Sequence, residues 1–195
     1  AEDRNGLRKL RISSSYTPEQ IELGASIMHS GVCLTVVDFG PHEGGSWFEV
    51  EAVPETLSKT MLGSLEQGGK VNLELSLKLG DELGGHLVFG HVDAVAEIIA
   101  IAEEGQSHRI TVKPPSELAR YFATKGSVTV DGVSLTVAAA HEDGTFDIAI
   151  IPHTWSVTTL GSLQVGSKVN LEVDMLARYV ARMIGADAPR PEGQS

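Results

Sequence analysis

Residues 60–75 read TMLGSLEQGGKVNLEL and residues 158–173 read TTLGSLQVGSKVNLEV, identical at eleven of sixteen positions with a constant offset of 98. Gly31–Val37, GVCLTVV, returns as Gly132–Ala138, GVSLTVA, with five of seven residues identical at an offset of 101. The chain is therefore two copies of one module of about 95 residues. Alternation decides what the module is. Val71, Leu73, Leu75 and Leu77 alternate with polar residues, as do Val169, Leu171 and Val173. Phe48, Val50 and Ala52 match Phe146, Ile148 and Ile150. Period-two patterning between Gly and Asp-Gly turns predicts an all-β fold of small barrels or sandwiches.

Brief helices are expected after Thr17, where Pro18 and Gln20 complete a capping pattern, and after Ser116, through Leu118, Tyr121 and Phe122. A C-terminal helix carries Leu176, Tyr179, Val180, Met183 and Ile184 on one face, outside both repeats. Its apolar stripe calls for a partner, so self-association is expected. Asp187–Ser195 is read as a flexible tail. Overlaying the copies sets Ala1-Glu2-Asp3 on Ala102-Glu103-Glu104, and the 18 residues Gly84–Ile101 have no counterpart in the first copy. The first module is thus expected to lack its opening strand.

The 195 residues, 42% of them apolar, are enough for two compact units. A net charge of −11 argues against nucleic acid as partner. Cys33 is the only cysteine, which rules out an internal disulfide and favours a reducing compartment. No apolar run reaches the length of about 20 residues that spans a bilayer, so no membrane partner is expected and the cytoplasm is the expected location.

In the shared GVxLTV frame Cys33 overlays Ser134 and Thr35 overlays Thr136. Each pair shares one strand face, where it could line a pocket or merely pack. Gly84–His91, GGHLVFGH, concentrates glycines that allow close approach and histidines that titrate near neutrality. Read as a strand, it puts His86 and His91 on opposite faces, which argues against a metal site with Asp93. Lys125 and Asp131 flank a strand of the second module, where the first has Gly24 and Ser30.

Seven segments, GVCLTV, PETL, GGHLVFGHVD, KGSVTVDGVSLTV, IPHT, TTLG and VNLEVDMLARYV, run in order from about Leu23 to Tyr179. In order and spacing they resemble riboflavin synthase. The resemblance implies two tandem six-stranded Greek-key β-barrels, a first lumazine-binding barrel over 1–83 and a second over 84–174. It also implies an oligomerisation helix over 175–186 that assembles a homotrimer. The implied reaction is dismutation of two 6,7-dimethyl-8-ribityllumazine molecules into riboflavin and 5-amino-6-(D-ribitylamino)uracil, with no cofactor and no metal. The implied reacting pair lies between the first barrel of one subunit and the second barrel of its neighbour. Association with lumazine synthase is implied as well.

Carried over by position, the catalytic set is Cys33, His91, Ser134, Thr136, Lys125, Asp131 and Asp174. The substrate-lining set is Ser26, Cys33, Leu34, Thr35, Glu51, Ala52, Val53, Pro54, Glu55 and Thr56 in one barrel. In the other it is Gly90, His91, Val92, Lys125, Ser134, Leu135, Thr136, Ile150, Ile151, Pro152, His153, Thr154 and Trp155. His91 with Thr136 would move protons at the substrate's C7 methyl, while Cys33 and Ser134 would supply or position the nucleophile. The family's opening Met-Phe-Thr-Gly is absent from this sequence, Phe89 replaces a small polar residue, and Ala94 replaces Gly. A non-catalytic relative that binds lumazine or flavin as an antenna is the alternative reading.

Overall fold

The computed structural model describes the backbone of residues 2–4 and all of residues 6–185. The expected tail, 187–195, lies outside the described residues. Six strands form the first sheet: β1 (Glu2–Arg4), β2 (Leu7–Ser14), β3 (Ser26–His29), β4 (Val32–His42), β5 (Gly45–Ala52) and β6 (Leu73–Leu75). Six more form the second: β7 (Ala94–Glu104), β8 (Ser107–Lys113), β9 (Ser127–Val130), β10 (Val133–Ala140), β11 (Phe146–Ile150) and β12 (Lys168–Val173). The first sheet runs β1-β2-β5-β4-β3-β6, and the second has the same Greek-key order closed into a barrel by β12 against β7. Of three short α-helices, α1 (Pro54–Lys59) and α2 (Pro152–Val157) repeat, while α3 (Met175–Met183) follows β12 and has no counterpart.

The two sheets differ at one edge. In the second barrel Lys168–Leu171 pair with Glu97–Ala94. Ile98 donates its N–H to Ser167 and accepts one from Gly166, at 2.9 and 2.7 Å. The register of the β1–β2 hairpin, Arg4 opposite Leu7, matches Glu104 opposite Ser107. The overlay of the two openings is therefore shifted by one residue from the one read in sequence, to an offset of 100. Among the described residues no pairing like that of β12 with β7 occurs in the first sheet, which is open between β1 and β6. A hollow of about 780 Å³ lies in that gap, walled by Arg11–Ser13 and Gly68–Leu73 and, from the second module, Trp155–Thr159.

Alternation builds each core. Leu10, Ile27, Val36, Phe48, Val50 and Ala52 fill the first, and Ile110, Val112, Val128, Val137, Phe146, Ile148 and Ile150 the second. The repeated TxLGS plugs each of them. Thr60 Oγ1 donates to the Thr56 carbonyl at 2.7 Å and accepts the Leu62 N–H at 3.3 Å; Thr158 makes the same pair to Thr154 and Leu160 at the same distances. This turn pushes Leu62 and Leu160 into the cores, at 1% and 0% exposure, each worth about 1.5–3 kcal/mol of burial.

The helices expected after Thr17 and Ser116 are 3-10 turns over Pro18–Gln20 and Ser116–Tyr121. Gln20 does reach back to the Thr17 N–H at 2.9 Å. In the second module Pro115 takes the cap position and offers no side-chain cap, so the equivalence with Ser116 fails. The segment read as a strand over Gly84–His91 forms no strand and runs as an extended strap between the sheets.

The modules meet through a reciprocal seam. The hairpin turns Ser30-Gly31 and Asp131-Gly132 each carry two positive φ angles, 45° and 86° in one and 46° and 81° in the other, the pairing a two-residue I′ turn requires. They abut so closely that a Cβ on Gly31 would lie 3.0 Å from the Gly132 nitrogen. Asn72 Nδ2 donates to the Asp131 carbonyl at 2.9 Å, and Asn170 Nδ2 to the Ser30 carbonyl at 2.7 Å. Their oxygens accept the Thr159 N–H at 2.8 Å and the Met61 N–H at 2.7 Å. Each asparagine of the repeated KVNLE thus ties down a turn and a TxLGS segment of the other module.

Asn170→Ala or Asn72→Ala strands one backbone donor and one backbone acceptor in the partly buried seam. Each is expected to lower stability by about 2–4 kcal/mol in urea titration; an unchanged midpoint would contradict the seam. The seam also titrates. Asp131 is 7% exposed, and burial pushes its carboxyl from 3.8 up to about 7 against a single opposing N–H from Asn170. A raised carboxyl contributes stability fully present below its unfolded value of 3.8 and lost as pH rises through 7. His29, fully buried and held down to about 4, runs the other way and costs stability as pH falls below 6.5. Asp131→Asn should therefore gain stability over the native chain at pH 8 and gain less at pH 5. Equal gains at both would refute the burial account.

Candidate active site

Period-two geometry puts the candidate side chains on the outer faces of β4 and β10. Cys33, Thr35, Ser134 and Thr136 are exposed while Leu34, Val36 and Val137 are buried. The register assembles two equivalent rows across the strands. In the second module Glu172 lies opposite Thr129, and Thr129 opposite Ser134. In the first, Glu74 lies opposite Met28, and Met28 opposite Cys33. One step along, Ser26 faces Thr35 and Ser127 faces Thr136. At the ends of the neighbouring strands β5 and β11, Val53 and Ile151 are matched residues that are 47% and 57% exposed. An apolar flat edged by hydroxyls suits a planar polar heterocycle.

The strap joins the rows. His86 N–H donates to Ser134 Oγ at 3.2 Å, and His86 Nδ1 sits 2.7 Å from the same oxygen. Because Oγ accepts from the backbone, its own proton is free to point at Nδ1. His86 Nε2 then carries the ring proton and donates to Thr129 Oγ1 at 3.0 Å, an assignment made from the network. Burial lowers the His86 pKa, opposed by Asp174 and Glu172. At neutral pH the ring is therefore neutral and keeps a lone pair for the Ser134 proton. At the strap's far end the Gly90 carbonyl accepts the Cys33 N–H at 3.0 Å. A Cβ on Gly90, at φ 75°, would lie 2.6 Å from the Cys33 Cβ. Phe89 stacks on His91 at 6.0 Å. A cleft of about 530 Å³ opens beside the strap, lined by Ser26, Met28, Cys33 and Glu74 of the first module, Ser134 of the second, and His86 and Phe89.

The sequence-derived set divides. Cys33, Ser26 and Ser134 meet in the cleft. Gly90, His91 and Val92 belong to the strap, and no hydrogen bond joins His91 to Thr136 among the described residues. Asp174 caps α3, accepting the Leu176 N–H at 2.9 Å, and faces His86 electrostatically. Lys125 stands exposed at φ 71°, its N–H on the Val137 carbonyl at 2.8 Å, at the end of β9 opposite to Asp131. Asp131 lies in the seam and is not among the residues lining the cleft; its carboxyl accepts the Asn170 N–H at 2.8 Å. Leu34, Ala52 and Ile150 point into the cores, at 8%, 0% and 0% exposure. Alternation leaves only their backbone for a ligand, and Leu135 is half-buried beside them.

Glu51, Val53, Pro54 and Glu55 are exposed at the β5–α1 junction, with Thr56 half-buried. Ile151, Pro152, His153 and Thr154 repeat this at β11–α2. Trp155 stacks flat on His108 at 3.8 Å and lines the other hollow, away from Ser134. Sequence reasoning missed His86, Thr129 and Glu172 as partners. Only the sheet register brings residues 86, 129, 134 and 172 together. Among the described residues, no group of three or more His, Cys, Asp or Glu is placed to hold a metal ion.

Comparisons with known proteins bear on this geometry. The lumazine binding domain model matches twice, over residues 2–76 and 89–174. A riboflavin synthase of Brucella abortus (strain 2308) is 55% identical over 176 residues, covering 89% of this chain and 86% of that one. One from Mycobacterium tuberculosis (strain H37Rv) is 47% identical over 163 residues, covering 83% and 80%. One from Bacillus subtilis (strain 168) is 43% identical over 175 residues, covering 90% and 79%. Among solved structures, LumP complexed with riboflavin superposes with a TM-score of 0.76 at 26% identity, covering 88% of this chain and 91% of that one. LumP complexed with 6,7-dimethyl-8-(1'-D-ribityl) lumazine gives 0.73 at 26%, covering 88% and 90%.

Cys33 is exposed in the folded chain, so a thiol reagent should modify one group per chain without denaturant; resistance until unfolding would contradict its placement. Gly90→Ala, at positive φ and against Cys33, should cost about 1–3 kcal/mol and weaken ligand binding in the cleft. Unchanged stability and binding would show that the strap does not need that approach.

Proposed function

This chain belongs to the riboflavin synthase family, and we propose that it works as follows. It dismutates two molecules of 6,7-dimethyl-8-ribityllumazine, passing a four-carbon unit from donor to acceptor to give riboflavin and 5-amino-6-(D-ribitylamino)uracil. The supporting observation is the strap that holds the matched positions Cys33 and Ser134 of the two barrels, with Ser134 already against the neutral His86 ring.

Two copies of one substrate must react, and two copies of one module offer each a similar shelf: Ser26, Thr35 and Val53 in one, Ser127, Thr136 and Ile151 in the other. Holding the pair in contact replaces a bimolecular encounter and contributes up to about 7–11 kcal/mol in the best cases. Ser134 gives its proton to His86 Nδ1 as its oxygen adds to one lumazine; where a water it orients adds instead, Ser134 takes the water's proton as it passes its own to His86. The imidazolium so formed is stabilised by Glu172 and Asp174. Cys33 holds the matching place against the other lumazine. His91, exposed at the end of the strap, and Thr136 move the protons of the C7 methyl. Lys125, exposed beyond the second shelf, faces the ribityl chain or the developing charge.

The barrels are divided as 1–83 and 84–174, with the helix from 175 serving assembly into a homotrimer. The helix observation supports this: Leu176, Tyr179, Val180, Met183 and Ile184 are 56–85% exposed on α3 and its C-cap. A neighbouring subunit then completes each shelf. Among the described residues no helix is long and apolar enough to cross a membrane, and a cytoplasmic location is part of the proposal.

Incubation with 6,7-dimethyl-8-ribityllumazine alone should yield riboflavin and the pyrimidine in equal amounts; a stably bound chromophore without turnover would favour the antenna alternative. Ser134→Ala and His91→Ala should leave folding intact and slow turnover by about two orders of magnitude or more, and unchanged turnover in both sinks the role assignments. In sedimentation, the chain should run as a trimer and a chain ending at Asp174 as a smaller species. Identical sizes would remove the helix from assembly.

A further inference from the structure

The strap is held at one place by a buried carboxylate that the reaction scheme above uses only as a charge near the His86 ring. Glu172, on β12, is 5% exposed. Its Oε1 accepts the Phe89 N–H at 2.8 Å and its Oε2 the His91 N–H at 2.9 Å. Charge-assisted bonds of this length to a buried carboxylate are among the stronger ones available to a loop. Among the described residues the strap forms no ladder; besides Glu172 it is held by single bonds, from the Cys33 N–H to the Gly90 carbonyl and from the His86 N–H to Ser134 Oγ. Glu172 also ends the row Glu172–Thr129–Ser134 that lies under His86.

We propose that Glu172 is a positioning residue: by pinning Phe89 and His91 it sets the strap in register, with His86 over Ser134 and the Gly90 carbonyl on Cys33. The repeat provides the contrast. Glu74 holds the matching place in β6, but among the described residues it receives no backbone N–H, and it lines the open cleft. One carboxylate of the duplicated pair has become a clamp, and the asymmetry of the two sites starts there. The clamp geometry stands on its own; its catalytic consequence rests on the riboflavin synthase reading.

The test uses the full chain with Glu172→Ala and Glu172→Gln. The glutamine keeps one acceptor oxygen and loses the other. Amide hydrogen exchange should accelerate at Phe89 and His91 in the alanine variant, with the amides of β9 and β10 protected as before. Unchanged exchange at those two amides overturns the clamp, whatever the enzyme does. In the lumazine assay kcat should fall by about 10- to 100-fold in Glu172→Ala, with KM nearly constant and partial recovery in Glu172→Gln. The alanine effect should largely vanish in a Ser134→Ala background, because both changes act through one network. Loss of a nearby negative charge should also move the His86 titration to lower pH. Full additivity with Ser134→Ala, or a loss confined to KM, overturns the positioning role. A native chain without lumazine turnover defeats the functional reading and leaves the exchange result to judge the clamp.

Discussion

Everything in this molecule depends on two asparagines reaching across a seam. Asn72 and Asn170 each hold one hairpin turn and one TxLGS segment of the opposite module through four hydrogen bonds of 2.7–2.9 Å in all. The glycines of those turns let the backbones touch, so no side chain cushions the contact. Buried amide groups that lose a partner cost more than the bonds gain when made. The relative placement of the barrels is therefore fixed rather than loose, and the strap can cross from Cys33 to Ser134 at a set distance.

Within that symmetric frame the chemistry comes from broken symmetry. Cys33 stands where Ser134 stands, Met28 where Thr129 stands, Glu74 where Glu172 stands. Only the second row, with two hydroxyls and a buried carboxylate, binds the strap through its side chains; the first meets it through the Cys33 N–H. The first row, with a thiol and a thioether, is left facing the cleft. A pair of identical rows would hold two substrates equally well but would offer no means of treating one as donor and the other as acceptor.

Much of this was legible beforehand. The repeat, the outward-facing Cys33, Thr35, Ser134 and Thr136, the matched cores around Phe48 and Phe146, and the exposed stripe of α3 all follow from local periodicity. What misled was context. Gly84–His91 carries apolar residues at strand-like spacing, yet β12, whose Glu172 holds it, is already paired on both sides and can bind it only through a side chain. Asp131 looked like a charge beside a catalytic strand, yet the I′ turn it occupies delivers its carboxyl to the seam. Leu34, Ala52 and Ile150 sit in ligand-lining stretches, yet their side chains alternate inward.

The sequence by itself determined the duplicated all-β module, the strand faces, the family and hence the reaction, because these rest on short-range patterns and on similarity along the chain. Only the tertiary structure decided which residues act together. His86, Thr129, Ser134 and Glu172 span 87 residues of chain. Strand register aligns residues 129, 134 and 172 and the strap lays His86 on the first two, and no local pattern encodes a register that is fixed by the packing of a whole barrel.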